Sequence, residues 1–334
     1  MDKYLFGKLP AGEEVFAYTI KNESCELEIL TRGAIVRRFV TFGTDIVGGF
    51  DKLDDYLVDT SHQGGLIGRI ANRVADASFK MDGKTYNLPK NDGENCLHGG
   101  DGFDRRIFDV KELTDSSITL TYLSRDGEEG FPANLFVEVT YTLVGAALVI
   151  DYTAIPDAKT PISLTNHSYF NLDGFGGKIT NHIAVIYADS YTEVDGNLIP
   201  NGNHPSVFGT PFDFNTPHRI GERIGGDFLG YDHNYILNPK KKERFIGKEL
   251  SLAATVTNEK LTLSVYTDQP CIQFYIGNFL GCDPDFKGGI KPVQHGAFCL
   301  ETQTEPNSVN HGIGIYNKGE VYRHTTVYKV EQNK

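Results

Sequence analysis

The 334-residue sequence predicts an all-β protein, a large antiparallel β-sandwich or barrel-like stack of sheets with very little helix. Three observations carry that expectation. Apolar and polar residues alternate with period two through many short runs. Long amphipathic helical patterns are nearly absent. Glycine (36) and proline (14) are spread between the runs as punctuation.

In chain order, Phe16–Ile20, Glu26–Leu30 and Ala34–Phe39 read as early strands. Ile118, Leu120 and Tyr122 alternate into Arg125-Asp126-Gly127, a turn signal. Val137, Val139, Tyr141 and Leu143 alternate with Glu138, Thr140 and Thr142. Leu148, Ile150 and Tyr152 resume past Gly145, which predicts a hairpin. The stretch PISLTNHSYFNL, residues 161–172, reads as a strand with Ile162, Leu164, Phe170 and Leu172 on one face. Ser163, Thr165, His167, Tyr169 and Asn171 fall on the other. His182–Tyr187 reads as a further strand, and Thr216–Arg223, with Pro217 near its first turn, as a short helix. Leu261, Leu263 and Val265 alternate again. Ile272, Phe274 and Ile276 share a face opposite Gln273. Phe298 and Leu300 share one opposite Glu301 and Gln303, and Thr325–Val330 closes the series. There is no linker, low-complexity tract or fixed-period repeat, so residues 1–334 are expected to form a single domain.

Composition narrows the function. Hydrophobic content is 40% and charged content 23%, ordinary for a globular protein with a sizeable core. A net charge of −12 without a Lys/Arg run opposes nucleic-acid binding and disfavours heavily phosphorylated substrates. The N-terminus MDKYLFGKLPAGEE lacks the apolar core of a signal peptide, and no apolar run is long enough to span a membrane. Cys25, Cys96, Cys271, Cys282 and Cys299 are scattered without a C-x-x-C pair. They read as reduced, buried thiols in a cytoplasmic protein. Neither a zinc motif nor a nucleophile elbow is present. Gly83-Lys84-Thr85 lacks the first glycine of a phosphate loop, and Gly174-Phe175-Gly176-Gly177 reads as a turn.

The informative residues are polar groups placed opposite apolar rows: His167, Gln273 and Glu301. Loop-like runs add His98 before a glycine pair, Asn72 and Arg73 in GRIANRV, and Asp232 in LGYDHNYIL. An arginine fork and a carboxylate suit sugar hydroxyls. Each residue taken alone also has a plain reading. His167 fits a solvated sheet face, Arg73 a surface ion pair, His98 a loop hydrogen bond and His233 a turn.

Taken in order, GRIANRV, NCLHGG, EEGFPANL, LTNHSYFNL, GYDHNY, IQFYIGNF and FCLETQ closely resemble the galactose mutarotase (aldose 1-epimerase) family, from about residue 15 to residue 330. The resemblance implies a supersandwich fold with an open sugar cleft on a curved sheet, and no metal or organic cofactor. It implies His167 as general acid and Glu301 as general base. It places sugar binding at Asn72, Arg73, His98, Ser168, Tyr169, Asp232 and Gln273. Arg69 and His233 match no such role and read as structural. The chain departs from the family at Ala75-Asp76-Ala77-Ser78 and at Asn307, where many relatives carry aspartate. The absence of Trp leaves Phe or Tyr for any stacking on a sugar.

The expected activity is interconversion of the α and β anomers of a free hexose such as galactose or glucose, by a monomer or homodimer serving hexose catabolism. The partner is a monosaccharide, with neither nucleic acid nor membrane. A glycoside-processing enzyme using Glu301 with Asp232, a non-catalytic sugar-binding protein on the same fold, and a sugar-phosphate epimerase are the alternatives. The acid–base pair needs one group protonated and one ionised at the start. A carboxylate neighbour, Asp232 or Glu301, is expected to hold His167 as imidazolium.

Overall fold

The computed structural model describes residues 2–238, 241–281 and 284–334. Its largest sheet places ten strands side by side. Nine lie in the order Asp109–Leu113, Ser117–Ser124, Leu135–Val144, Ala147–Pro156, Tyr322–Gln332, Leu261–Thr267, Lys248–Thr257, Ile183–Ile186 and His218–Arg219, and Lys242–Phe245 pairs beside Lys248–Thr257. A five-stranded sheet is built from Asp2–Lys8, Glu14–Lys21, Cys25–Leu30, Ile35–Thr41 and Thr44–Asp45. A four-stranded sheet runs Ala188–Tyr191, Asp232–Leu237, Cys271–Tyr275, Cys299–Gln303. Neighbouring strands in these sheets pair antiparallel.

The period-two pattern becomes a half-buried strand wherever one face meets the core. Along Leu135–Val144, Leu135, Val137, Val139, Tyr141 and Leu143 are buried, while the residues between them reach outward. On the outer face Thr119 and Thr140 pair hydroxyls at 2.9 Å, a cross-strand contact. The predicted hairpin closes through a two-residue turn with Val144 opposite Ala147, and Gly145 takes a left-handed φ of 55°. The main core joins all three sheets. Leu27 and Phe39, Val139 and Tyr152, and Phe274 and Leu300 belong to one buried apolar cluster.

Two expectations are corrected. Thr216–Arg223 is not a helix. The backbone donors of Ile220 and Gly221 go to the carbonyls of His182 and Thr180, and His218 and Arg219 pair with Ala184 and Ile183. Bonds to a neighbouring strand replace the i−4 ladder. The α-helix instead spans Leu53–Val58 and seats Leu53 and Tyr56 against the five-stranded sheet. Residues 161–172 are not a continuous strand either. Only Thr160–Pro161 and Thr165–Asn166 are strand, with single bridges at Ser163 and Phe170. The apolar row is buried as expected, but Ser163, Thr165, His167, Tyr169 and Asn171 are buried too. The segment runs through the interior, and its backbone bonds to both sides: His167 N–H to Gly65 O, Gly64 N–H to His167 O, and Phe170 N–H to Phe298 O.

Cys25, Cys96, Cys271 and Cys299 are free and buried, as expected; Cys282 lies outside the described residues. Gly83-Lys84-Thr85 forms a hairpin between Ser78–Met81 and Lys84–Asn87, and Gly174–Gly177 is a turn.

Arg69 is structural. Its guanidinium is buried and donates to the carbonyls of Ser124, Arg125, Pro132 and Ala133 and to the hydroxyls of Ser124 and Thr160, at 2.7–3.2 Å. Removing it orphans several buried acceptors at once. Arg69→Ala is expected to lower unfolding free energy by roughly 3 kcal/mol or more, read as a drop in denaturant midpoint.

Candidate active site

The four-stranded sheet sets one wall of a cleft of about 170 Å³. Register places Gln273 opposite Glu301 on one side and Asn234 on the other, so the polar residues of neighbouring strands line up. Gln273 Nε2 donates to Asp232 Oδ1 at 2.7 Å. Across from this sheet the buried segment presents His167, whose Nε2 lies 3.6 Å from Glu301 Oε1. The buried segment that carries His167 and the strand that carries Glu301 therefore face each other across one gap.

Asn72, Arg73 and His98 form another wall. Asn72 and His98 both take left-handed backbone conformations, with φ of 62° and 54°. They lock each other in place: His98 N–H donates to Asn72 O, and Asn72 N–H donates to His98 Nδ1, both at 3.1 Å. A neutral imidazole whose Nδ1 accepts a bond carries its proton on Nε2. His98 is thus a hydrogen-bond donor. Arg73 Nε donates to Asp92 Oδ2 at 2.7 Å, which orients the guanidinium and leaves its other nitrogens for a ligand. The glycine pair after His98 serves the fold. A Cβ on Gly99 would meet Gly68 O at 2.4 Å, and its φ is 79°.

Of the nine predicted site residues, seven line the cleft: Asn72, Arg73, His98, His167, Tyr169, Asp232 and Glu301. Gln273 sits beside Asp232 without appearing in the cleft wall. Ser168 is turned inward, its hydroxyl donating to Asn166 Oδ1 at 2.6 Å and its N–H to the same atom. His233 is held among the rings of Phe212, Tyr191 and Phe228, consistent with a structural role.

Sequence reasoning missed His62, which lines the cleft and bonds through Nδ1 to Asp104 Oδ2 at 2.9 Å. A weaker signal existed in SHQGG, where His62 stands one residue ahead of a glycine pair, while His98 precedes its pair directly. Tyr275, Leu280 and Phe279 also line the cleft. Phe279 is 71% exposed, an aromatic face free to meet a ligand.

Burial decides the charges. His167 is driven down to about 3, first by loss of water and then by the charge of His62. The same two causes push His98 well below the usual imidazole range, with His167 and Arg73 adding to them. Burial lifts Glu301 well above the usual carboxylate range, the charge of Asp232 lifts it further, and Arg73 opposes both. The expected imidazolium at His167 is therefore corrected. Burial and the charge of His62 outweigh the raising effect of Asp104 on His167, and the shifts of His167 and Glu301 both run toward the neutral pair. Burial lowers His62, but Asp104 raises it more, through charge and hydrogen bond together.

His98, His167 and Glu301 place ligand atoms within 4.8 Å of one another, close enough to hold a metal ion. The donor set does not suit one. The Nδ1 lone pair of His98 is taken by Asn72 N–H, and Nε2 carries the proton, so this ring has no free lone pair to offer.

The aldose 1-epimerase family model matches residues 17–329. Galactose mutarotases from Pongo abelii and Homo sapiens are 40% and 39% identical over 337 residues, covering 97% of this chain and of each relative. An aldose 1-epimerase from Haemophilus influenzae is 37% identical over 294 residues, 83% of each chain. Among solved structures, the galactose 1-epimerase of Lactobacillus acidophilus superposes with a TM-score of 0.88 at 26% identity, over 100% of this chain and 99% of that one. With the fold, the cleft and the matched length in agreement, the chain belongs to the aldose 1-epimerase family.

Proposed function

We propose that this protein interconverts the α and β anomers of a free hexose, with Glu301 as base and His167 as acid. The observation that carries the reading is the 3.6 Å approach of His167 Nε2 to Glu301 Oε1 inside a polar cleft. Galactose is the first candidate sugar, because the relatives matched over nearly their whole length are named for it.

The chemistry follows from the pair. Glu301 takes the proton of the C1 hydroxyl, the electrons of that O–H bond form the C1 carbonyl, and the C1–O5 bond breaks. O5 receives its proton from His167. Rotation about C1–C2 then exposes the other carbonyl face, and closure reverses both transfers. Ring opening turns an imidazolium–carboxylate pair into a neutral imidazole and a neutral carboxylic acid. That is the form the dry interior favours, so burial pulls the step forward. Sugar hydroxyls donating to Glu301, and O5 accepting from His167, recharge the pair on binding. His98 donates from Nε2, Arg73 grips a hydroxyl, and Phe279 offers a stacking face.

Polarimetry of freshly dissolved α-galactose and α-glucose tests the reaction. Catalysed relaxation to the equilibrium rotation is expected, with no cleavage of a chromogenic glycoside; glycoside cleavage in its place would count against the reading. His167→Ala or Glu301→Ala is expected to lower kcat by roughly 10²–10⁴-fold with the thermal midpoint little changed. Near wild-type turnover in either would remove that residue from its role. Gln273→Ala, which frees Asp232 from its 2.7 Å partner, should raise KM by roughly threefold to tenfold, the size of one lost hydrogen bond, and leave kcat nearly unchanged.

The pH profile has a definite sign. The pair holds one proton between the depressed value of His167, about 3, and the raised value of Glu301. Below that window it gains a second proton, and above it the last one leaves. The kcat/KM of the protein should stay level as pH falls past the ~6.5 of an ordinary imidazole. An acid limb between pH ~6 and ~7 would contradict this proton count.

A further inference from the structure

Three imidazoles crowd one side of the cleft. The ring of His98 lies 4.8 Å from that of His62 and 5.2 Å from that of His167, and His62 and His167 are 6.0 Å apart. Three positive charges at such spacing repel one another strongly in a partly dry site, so the cluster holds one comfortably. Position selects which ring takes it. His62 has a carboxylate in hydrogen-bond contact, Asp104 Oδ2 at 2.9 Å, and a carboxylate only accepts, so Nδ1 of His62 carries a proton. His98 spends Nδ1 on a backbone N–H, which a protonated ring could not accept. His167 makes its closest approach to Glu301 at 3.6 Å, and its Nδ1 lies 3.6 Å from the thiol of Cys299.

Other charges flank His62 at longer range. A small cavity beneath it is lined, besides Asp104, by one acid, Asp59, and two bases, Arg32 and Arg105. Arg105 Nε is 4.0 Å from Asp104 Oδ2, farther than the ring itself. Asp104 Oδ1 is buried without a partner, so nothing else claims that side of the carboxylate. Among the described groups, Asp104 is the one in direct hydrogen-bond contact with the His62 ring.

We propose that the Asp104–His62 pair sets the charge of the cleft: it takes the single imidazolium that the three rings can hold and leaves His98 and His167 neutral. His62 is then a positioning residue in the electrostatic sense. It keeps the His98 donor in one tautomer. It also ensures that His167 is charged only when a proton crosses from Glu301, so that the acid is armed together with the base. The functional consequence rests on the proposed reaction; the ring charges do not, and can be read without turnover.

The test is ¹⁵N NMR of the histidine ring nitrogens in the full chain, titrated from pH ~2 to ~8 so that the His167 transition falls inside the range, with His62→Gln and Asp104→Asn used for assignment. Near pH ~6 the wild type is expected to show both nitrogens protonated on His62, while His98 and His167 give the signature of neutral rings. In His62→Gln the titration of His167 should move up by about half to two pH units. That is the range one charge ~6 Å away produces between water-like and protein-like screening. In Asp104→Asn the titration of His62 should move down. A neutral His62 at pH ~6 in the wild type, or an unmoved His167 in His62→Gln, overturns the proposal. If His62→Gln does not fold, the Asp104→Asn titration decides, and an unmoved His62 there overturns it equally. Absence of anomer interconversion in the wild type would strike down the reaction and leave these titrations standing.

Discussion

Everything in this molecule that bears on chemistry depends on two buried titratable groups held 3.6 Å apart by different parts of the chain. Glu301 stands on a strand paired in register with Cys271–Tyr275, so its position is set by a ladder of backbone bonds. His167 stands on a segment that is not a sheet strand at its own position, yet both its N–H and its C=O are bonded to the Gly64-Gly65 turn. Neither residue can drift without breaking buried hydrogen bonds, each expensive to leave unmade. The large sheet, the five-stranded sheet and the shared core are what keep that gap open and that spacing constant.

The opposite wall is held by strain offset with hydrogen bonds. Asn72, Asp76, Ala77, His98 and Asn307 all have positive φ, which costs non-glycine residues roughly 1–2 kcal/mol each. The loops that carry them are tied together. Asn307 Oδ1 accepts from Ala75 N–H and from Asn310 Nδ2, while Asn307 N–H donates to Arg73 O. The Ala75–Ser78 segment and Asn307 thus meet in space beside the backbone of Arg73.

Legibility followed burial asymmetry. Leu135–Val144 could be read because one face is wet and the other dry, which writes a period of two into the residues. Residues 161–172 were read as the same kind of strand and are not, because both faces are buried and the polar side chains there serve the interior. Thr216–Arg223 looked helical by local signals, and its backbone donors were claimed by His182 and Thr180, far away in sequence. Most of the cleft was legible because seven short segments carried it in order. Its charge was not: dehydration of His167 and the approach of His62 are facts of packing that a residue string does not contain. His62 carries a weaker local signal than His98, because Gln63 separates it from the glycine pair in SHQGG whereas LHGG has none between.

Unmet polar atoms in and beside the cleft also bear on what it takes. Glu301 Oε2 and Gln273 Oε1 are buried without a protein partner. Gln273 Oε1 only accepts, while Glu301 Oε2 accepts as a carboxylate and donates as a carboxylic acid. A hydroxyl supplies a donor and accepts in return, so it can satisfy these oxygens and the Nε2–H of His98 together. A phosphate or carboxylate group brings acceptors and no donor near neutral pH, so it leaves Gln273 Oε1 unmet. The site is built for a neutral molecule dense in hydroxyls with one less polar face to lay against Phe279, and an unmodified aldose is the simplest such molecule.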